Sequence, residues 1–222
     1  MFWFALGRAE ALQKGCPLHL NTDWYELEEA KNRPFLLDRF PLASAPDVTI
    51  GPGGGGRIED ARFAQPVLFQ PIQAQLRRDF AAHPQIPRSD RVGVHVRRGD
   101  YAYVRPDGAL LIAEKRIRAA MAHFPGRRFS VFSDDPDWCE EHLGGAAVEV
   151  MAAADPVSDM QRLAACSDLI IANSTFSWWA AWLNPHPTKT VLYPRNWHDG
   201  AWPGLPDPKG QSRLIGQDWL AY

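Results

Sequence analysis

The hydrophobic pattern changes character part-way along the chain. Phe2, Phe4, Ala5, Leu6, Ala9 and Leu12 recur at helical spacing, and Gly15 and Pro17 stop the run, which predicts a helix over residues 1–14. Leu18-His19-Leu20 then predicts a short strand, with Asn21-Thr22-Asp23 as a turn or cap. From Glu26 to Pro87 the periodicity weakens. Phe35-Leu36-Leu37 and Val48-Thr49-Ile50 are candidate strands, and the glycine-rich run from Gly51 to Gly56 reads as a loop with little to pack. Gln70–Ala82 predicts an amphipathic helix presenting Ile72, Leu76 and Phe80 on one side. His83 to Arg88, with two prolines, reads as a linker that divides the chain into residues 1–88 and 89–222.

Beyond Arg91 the rhythm becomes regular. A β-branched run, Val92–Val96, precedes a charged loop and a helix over about residues 110–123. Strand patterns follow at Arg128–Phe132, Val148–Val150, Asp168–Ala172 and Thr190–Tyr193. Helical ones lie between them at Asp137–Leu143, Pro156–Ala165 and Phe176–Leu183. Strands alternating with helices predict an α/β fold with a parallel, doubly wound sheet that takes its ligand at the carboxyl ends of strands.

At 222 residues, 45% hydrophobic and 23% charged, the composition is that of a globular protein with one large domain or two small ones. A net charge of −2 leaves no global footprint for nucleic acid, so any phosphate recognition is local. Cys16, Cys139 and Cys166 are scattered, without a C-x-x-C pair, which argues against a disulfide scaffold or thiolate zinc site and fits a reducing compartment. No apolar run approaches the ~20 residues of a membrane span, and no signal-peptide architecture opens the chain, so a cytoplasmic location is expected.

Three predicted strand ends are unusually polar: His95–Tyr101, Ser133–Asp135 and Asn173–Ser177. In a parallel sheet they converge on one rim. Arg97 and Arg98 suit a phosphate-bearing ligand, because each guanidinium is a fixed fork matching two phosphate oxygens. Asn173-Ser174-Thr175 precedes a helix; its hydroxyls can cap the first turn, and the free amides there favour an anion. Together these point to a diphosphate and hence a sugar nucleotide. No lysine and hydroxyl residue follow the glycine-rich run as a triphosphate loop requires. Asp134-Asp135-Pro136-Asp137 contains a D-x-D that could hold Mg²⁺ or Mn²⁺, but Pro136 and Asp137 more simply start a helix. Arg98-Gly99-Asp100 is also the tripeptide of adhesion ligands, yet the strand before it and Tyr101 after it argue for a packed rim loop.

Four stretches resemble motifs of the bacterial alpha-1,2-fucosyltransferases. They are His95-Val96-Arg97-Arg98-Gly99-Asp100-Tyr101, Phe132-Ser133-Asp134-Asp135, Asp159-Met160, and the long run Ile171-Ala172-Asn173-Ser174-Thr175-Phe176-Ser177-Trp178-Trp179-Ala180-Ala181-Trp182-Leu183-Asn184. Met1-Phe2 and Ala5–Ala9 also look like the family's amino-terminal helix. The resemblance implies a GT-B-like fold of two Rossmann-type halves, with GDP-fucose in the carboxyl-terminal half. It implies inverting transfer of L-fucose to the 2-hydroxyl of a galactoside acceptor, with no cofactor and no required metal. Arg97 and Arg98 would grip the diphosphate, where charge builds as GDP departs, and His95 and Asp159 would sit near the guanine. Tyr101, Ser133, Asp134, Asn173, Ser174, Thr175, Phe176 and Ser177 complete the expected donor site, while Trp178 and Trp179 pack the helix. Asp100 is the candidate general base, or else orients Arg97 or Arg98. The expected product is a cell-surface glycan such as a lipopolysaccharide side chain, which allows a peripheral place at the inner membrane.

Two departures qualify that expectation. Family members usually carry a glycine-rich strand and turn ending in Gly-Asn-Gln immediately before Met-Phe, whereas this chain starts at Met1-Phe2. The segment between Asp23 and Arg91 is short for the family's middle section. Both belong to the acceptor half, so the alternative expectation is a GDP-sugar-binding remnant without transferase activity.

Overall fold

Helical spacing at the start of the chain is realised as α1 (Phe2–Lys14), which ends at Gly15 in the left-handed conformation that suits a residue without a Cβ (φ 64°). The computed structural model describes residues 1–28, 34–54, 68–81, 86–104, 108, 110–195 and 218–222. Gly55, Gly56, Ala82 and residues 83–85 of the predicted loop, helix and linker lie outside the described residues. The chain divides into two compact units, Met1–Ala82 and His83–Tyr222.

In the first unit, β1 (Leu18–Asn21) pairs in parallel with β2 (Val48–Gly51). A 3₁₀ turn at Gln70–Ile72 leads into α2 (Gln73–Asp79). The core is aromatic: the rings of Phe4 and Phe40 meet Phe80 edge to face at centroid distances of 5.2 and 5.3 Å. Each such pair adds about 0.5–1.5 kcal/mol beyond the area it buries. Arg8 lies in the same core, 3% exposed, with Nη1 on Asp47 at 2.6 Å and Nε on Asp79 at 3.2 Å.

The second unit runs β3 (Ser89–Val96), α3 (Tyr101–Val104), α4 (Glu114–Met121), β4 (Phe129–Ser133), α5 (Pro136–Leu143) and β5 (Val148–Val150). It continues with α6 (Pro156–Ala164), β6 (Cys166–Ile170), α7 (Thr175–Leu183), β7 (Val191–Tyr193) and β8 (Leu220–Ala221). The sheet has six strands in the order β5-β4-β3-β6-β7-β8, with every neighbouring pair parallel. The chain thus winds outward from β3 to β5, then returns to the other side of β3. That reversal is a topological switch point, with a crevice at the carboxyl ends of β3 and β6. Val92, Val94 and Val96 sit in the core with Ile117, Phe124 and Leu143. Between them, a Cβ on Gly93 would come within 2.7 Å of Leu163 Cδ1, so glycine is what allows α6 to lie this close to the sheet.

Several local expectations are corrected. Phe35-Leu36-Leu37 is not a strand: Leu37 opens a 3₁₀ turn, and the Phe35 ring packs edge-on against Tyr25 at 5.1 Å. The helix expected over residues 110–123 is shorter, Glu114–Met121. Leu110 stands outside it because its carbonyl accepts the Asn173 side-chain amide at 3.0 Å, which ties this segment to the end of β6 instead. In α1, Leu12 is 40% exposed, and the buried positions are Phe2, Phe4, Ala5, Gly7, Arg8 and Ala11. The ion-paired Arg8 belongs to the inner face, which rotates the helix away from its most hydrophobic reading. The strand expected at Asp168 begins earlier, at Cys166, and α3 and β8 are additions too short to show a period.

Candidate functional site

The site grows from the end of β3, where a fully buried valine run gives way to arginines that no core could hold. Asp134, following β4, organises the turn. Its Oδ1 accepts the Arg98 backbone N–H at 2.8 Å and its Oδ2 receives Arg97 Nη1 at 2.9 Å. A Cβ at position 99 would lie 2.5 Å from Asp134 Oδ2, so Gly99 makes room for that carboxylate. Arg97 Nη2 also donates to Asp100 Oδ1 at 2.7 Å, and Arg98 Nε donates to Asp135 Oδ2 at 3.0 Å. Asp135 does a second job as the N-cap of α5, accepting the Trp138 N–H. The carboxylates of Asp134 and Asp135 are therefore turned toward arginines and a helix end, while Asp137, the second acid of the D-x-D, is exposed in the first turn of α5. Among the described residues, no three His, Cys, Asp or Glu side chains are grouped to hold a metal ion.

Beside this turn a cleft of about 250 Å³ is lined by His95, Arg97, Phe132, Ser133, Asp134, Ala153, Ala154, Pro156, Asp159 and Phe176. It opens where the ends of β3, β4 and β6 come together, with α6 as a further wall. Asp159 is held in place, accepting from the Ala154 N–H and from Arg162 Nη1, both at 3.1 Å. His95 is 7% exposed, and its ring packs against Phe176 with centroids 5.0 Å apart. Its Nδ1 is buried and has no hydrogen-bond partner among the described residues.

Burial, reinforced by the nearby Arg97 charge, lowers the His95 pKa from 6.5 to about 3. The sign of the linkage follows. The unfolded chain takes up a proton below 6.5 and the folded chain does not until about 3, so His95 lowers stability as pH falls through that window and is neutral in effect above it. Near pH 5 the cost is about 2 kcal/mol. Urea unfolding of His95→Gln is expected to show an acid-side loss smaller than wild type by about that amount; parallel profiles for the two proteins would contradict it.

The structure brings six of the expected donor-site residues to the cleft wall: His95, Arg97, Ser133, Asp134, Asp159 and Phe176. Arg98 and Asp100 flank it. The others take structural positions. Tyr101 is buried and its hydroxyl donates to the Asn173 carbonyl at 2.9 Å, linking the turns that follow β3 and β6. Asn173 donates to Leu110, Ser174 caps α7 by accepting the Phe176 N–H, and Thr175 is exposed in the first turn. Ser177 is fully buried and returns its hydroxyl to the carbonyls of Ala172 and Ser174. Trp178 and Trp179 are each 2% exposed and pack against each other and Trp182, as the sequence predicts. Sequence reasoning missed Phe132, Ala153, Ala154 and Pro156. Small or apolar residues carry no chemical signal, and only their place in β4, after β5 and at the start of α6 makes them a wall.

The sequence profile of glycosyl transferase family 11 matches residues 65–203. The O-antigen biosynthesis glycosyltransferase WbnK of Escherichia coli is 31% identical over 143 residues, covering 60% of this chain and 44% of the relative. An alpha-1,2-colitosyltransferase of Escherichia coli is 34% identical over 150 residues, covering 60% and 49%. The galactoside alpha-(1,2)-fucosyltransferase 1 of Saimiri sciureus is 32% identical over 146 residues, covering 52% and 40%. The chain thus spans less than half the length of these curated relatives. A crystal structure of POFUT1 in complex with GDP overlaps 77% of this chain and 60% of that one, at 13% identity and a TM-score of 0.37, too loose a match to bear on fold or site. Among the described residues, no helix is long and apolar enough to cross a membrane. With its profile matched from before β3 to beyond β7, through every strand end that forms the cleft, this chain belongs to glycosyl transferase family 11.

Proposed function

We propose that this protein transfers L-fucose from GDP-fucose to the 2-hydroxyl of a galactoside, with inversion and without a metal, on a GT-B-like scaffold. The observation that carries the reading is a single cleft at the sheet's switch point lined by both Arg97 and His95. The neutral imidazole suits a nucleobase edge, with Asp159 as an acceptor for base N–H groups. Arg97 and Arg98 suit the diphosphate. Their charge also acts when the glycosidic bond breaks, since the departing GDP gains negative charge that fixed guanidinium groups stabilise without reorganising. Asp100 is the proposed base for the acceptor hydroxyl; its carboxylate is 54% exposed, within reach of a substrate arriving from solvent.

The test is incubation with GDP-fucose and a galactoside in the presence of chelator. GDP release together with an alpha-1,2-fucosylated product is expected, and both signals should persist in chelator. Because one relative is named for colitose, the corresponding colitose donor belongs in a parallel arm. GDP binding without turnover of either donor would favour the remnant reading instead, and absence of GDP binding would overturn both.

A further inference from the structure

We infer that Trp138, which lies on α5 and outside the cleft, is a positioning residue that holds the Arg98 guanidinium flat for a phosphate. The inference rests on the reading of Arg98 as a diphosphate ligand. The two arginines are bound very differently. Both terminal nitrogens of Arg97 are engaged, one by Asp100 and one by Asp134. Arg98 uses only Nε, on Asp135, and its Nη1 and Nη2 make no hydrogen bond among the described residues. That leaves Arg98 presenting the paired N–H groups that match two phosphate oxygens.

A free guanidinium on a flexible stem would sample many orientations, so something must hold its plane. The Arg98 Cζ lies 4.0 Å from the Trp138 ring centroid, close enough for a strong cation–π contact. The indole is itself fixed. It stacks on His142 with centroids 4.5 Å apart and planes 12° apart, its backbone N–H is tied to Asp135, and it packs against the core of the second unit. Asp135 therefore acts on both members, binding Arg98 by one oxygen and starting the helix that carries Trp138 by the other. The result is a guanidinium held against the indole and tied at Nε by a carboxylate, with Nη1 and Nη2 unpartnered among the described residues. Less side-chain freedom is then lost when the ligand binds.

The experiment is a double-mutant cycle on the full chain, read as GDP affinity by titration calorimetry. Trp138→Leu is expected to weaken GDP binding about tenfold, and Trp138→Phe, which restores an aromatic face, by less than about threefold. In an Arg98→Ala background, Trp138→Leu should cause no further loss, because the group it positions is gone. The same tenfold loss in both backgrounds would overturn the inference, showing that Trp138 acts on the fold alone. Arg98→Lys provides a second test that leaves the core untouched. It keeps the charge but not the plane, and wild-type affinity in this variant would also overturn the inference. Should Arg98→Ala itself bind GDP as wild type does, the diphosphate reading of Arg98 fails, an outcome distinct from additivity at Trp138.

Discussion

Arg97→Ala and Arg98→Ala are each expected to weaken GDP binding by about 10- to 100-fold, the loss of one or two charge-assisted hydrogen bonds at about 1.5–3 kcal/mol. The two losses should differ in origin. Removing Arg98 deletes a guanidinium whose Nη1 and Nη2 have no partner among the described residues, and frees one carboxylate, Asp135. Removing Arg97 does more than delete a ligand: it leaves Asp100 and Asp134 without the cation that both now bind, so two uncompensated carboxylates would confront the incoming diphosphate. Salt dependence separates these effects. Screening by added salt should recover more of the Arg97→Ala loss, which frees two carboxylates, than of the Arg98→Ala loss, which frees one. Asp100→Asn probes the same balance from the other side. As an orienting group, Asp100 competes with ligand for Arg97, and its removal should leave GDP affinity equal or higher. As the base, its removal should cut turnover while sparing GDP binding. Wild-type GDP affinity in both arginine variants would sink the diphosphate assignment.

Arg8→Met should destabilise the first unit by about 3–5 kcal/mol, the usual cost of breaking a buried ion pair from one side. Asp79 is 3% exposed and, among the described residues, would keep only the Gln75 amide, which donates to its Oδ1 at 2.7 Å. Burial by itself pushes the Arg8 pKa down, but the carboxylates of Asp47 and Asp79 outweigh it and hold the guanidinium above its ordinary value. Replacing both partners, as in Arg8→Met with Asp79→Leu, is expected to restore much of the lost stability, because an apolar pair of similar volume removes the desolvation penalty along with the attraction. Urea unfolding of the single and double variants checks both statements. An Arg8→Met midpoint matching wild type, or a double variant as unstable as the single one, would show that the pair is not the tie it resembles.

The parallel sheet was legible because its determinants are local. Val92–Val96, Phe129–Phe132 and Val191–Leu192 are apolar runs bounded by polar turns, and the intervening helices announce themselves through Pro136, Asp155-Pro156 and Ser174 at their starts. The polar residues at three strand ends identified a rim for the same reason: charge has no place in a buried sheet and must lie where the strand leaves it. Partnership was not legible. Nothing in the order of residues says that Arg8 is buried against Asp79, 71 positions away, or that the carbonyl of Leu110 is claimed by Asn173. These depend on which elements meet, a decision made by packing over the whole unit rather than by any window of sequence.

The same division runs through the candidate site. Sequence alone determined which chemistry is available at the rim, namely two guanidinium groups, a histidine and a set of carboxylates, because residue type and strand-end position settle that much. How the arginines differ depends on which elements the fold brings beside each of them. The return of β6 beside β3 brings His95 and Phe176 together, and the pairing of β3 with β4 sets Asp134 beneath Gly99. The helix after β4 then carries Trp138 beneath Arg98. Adjacent in sequence, Arg97 and Arg98 meet different neighbours: one spends both terminal nitrogens on Asp100 and Asp134, while the other is bound at Nε by Asp135 and rests on an indole.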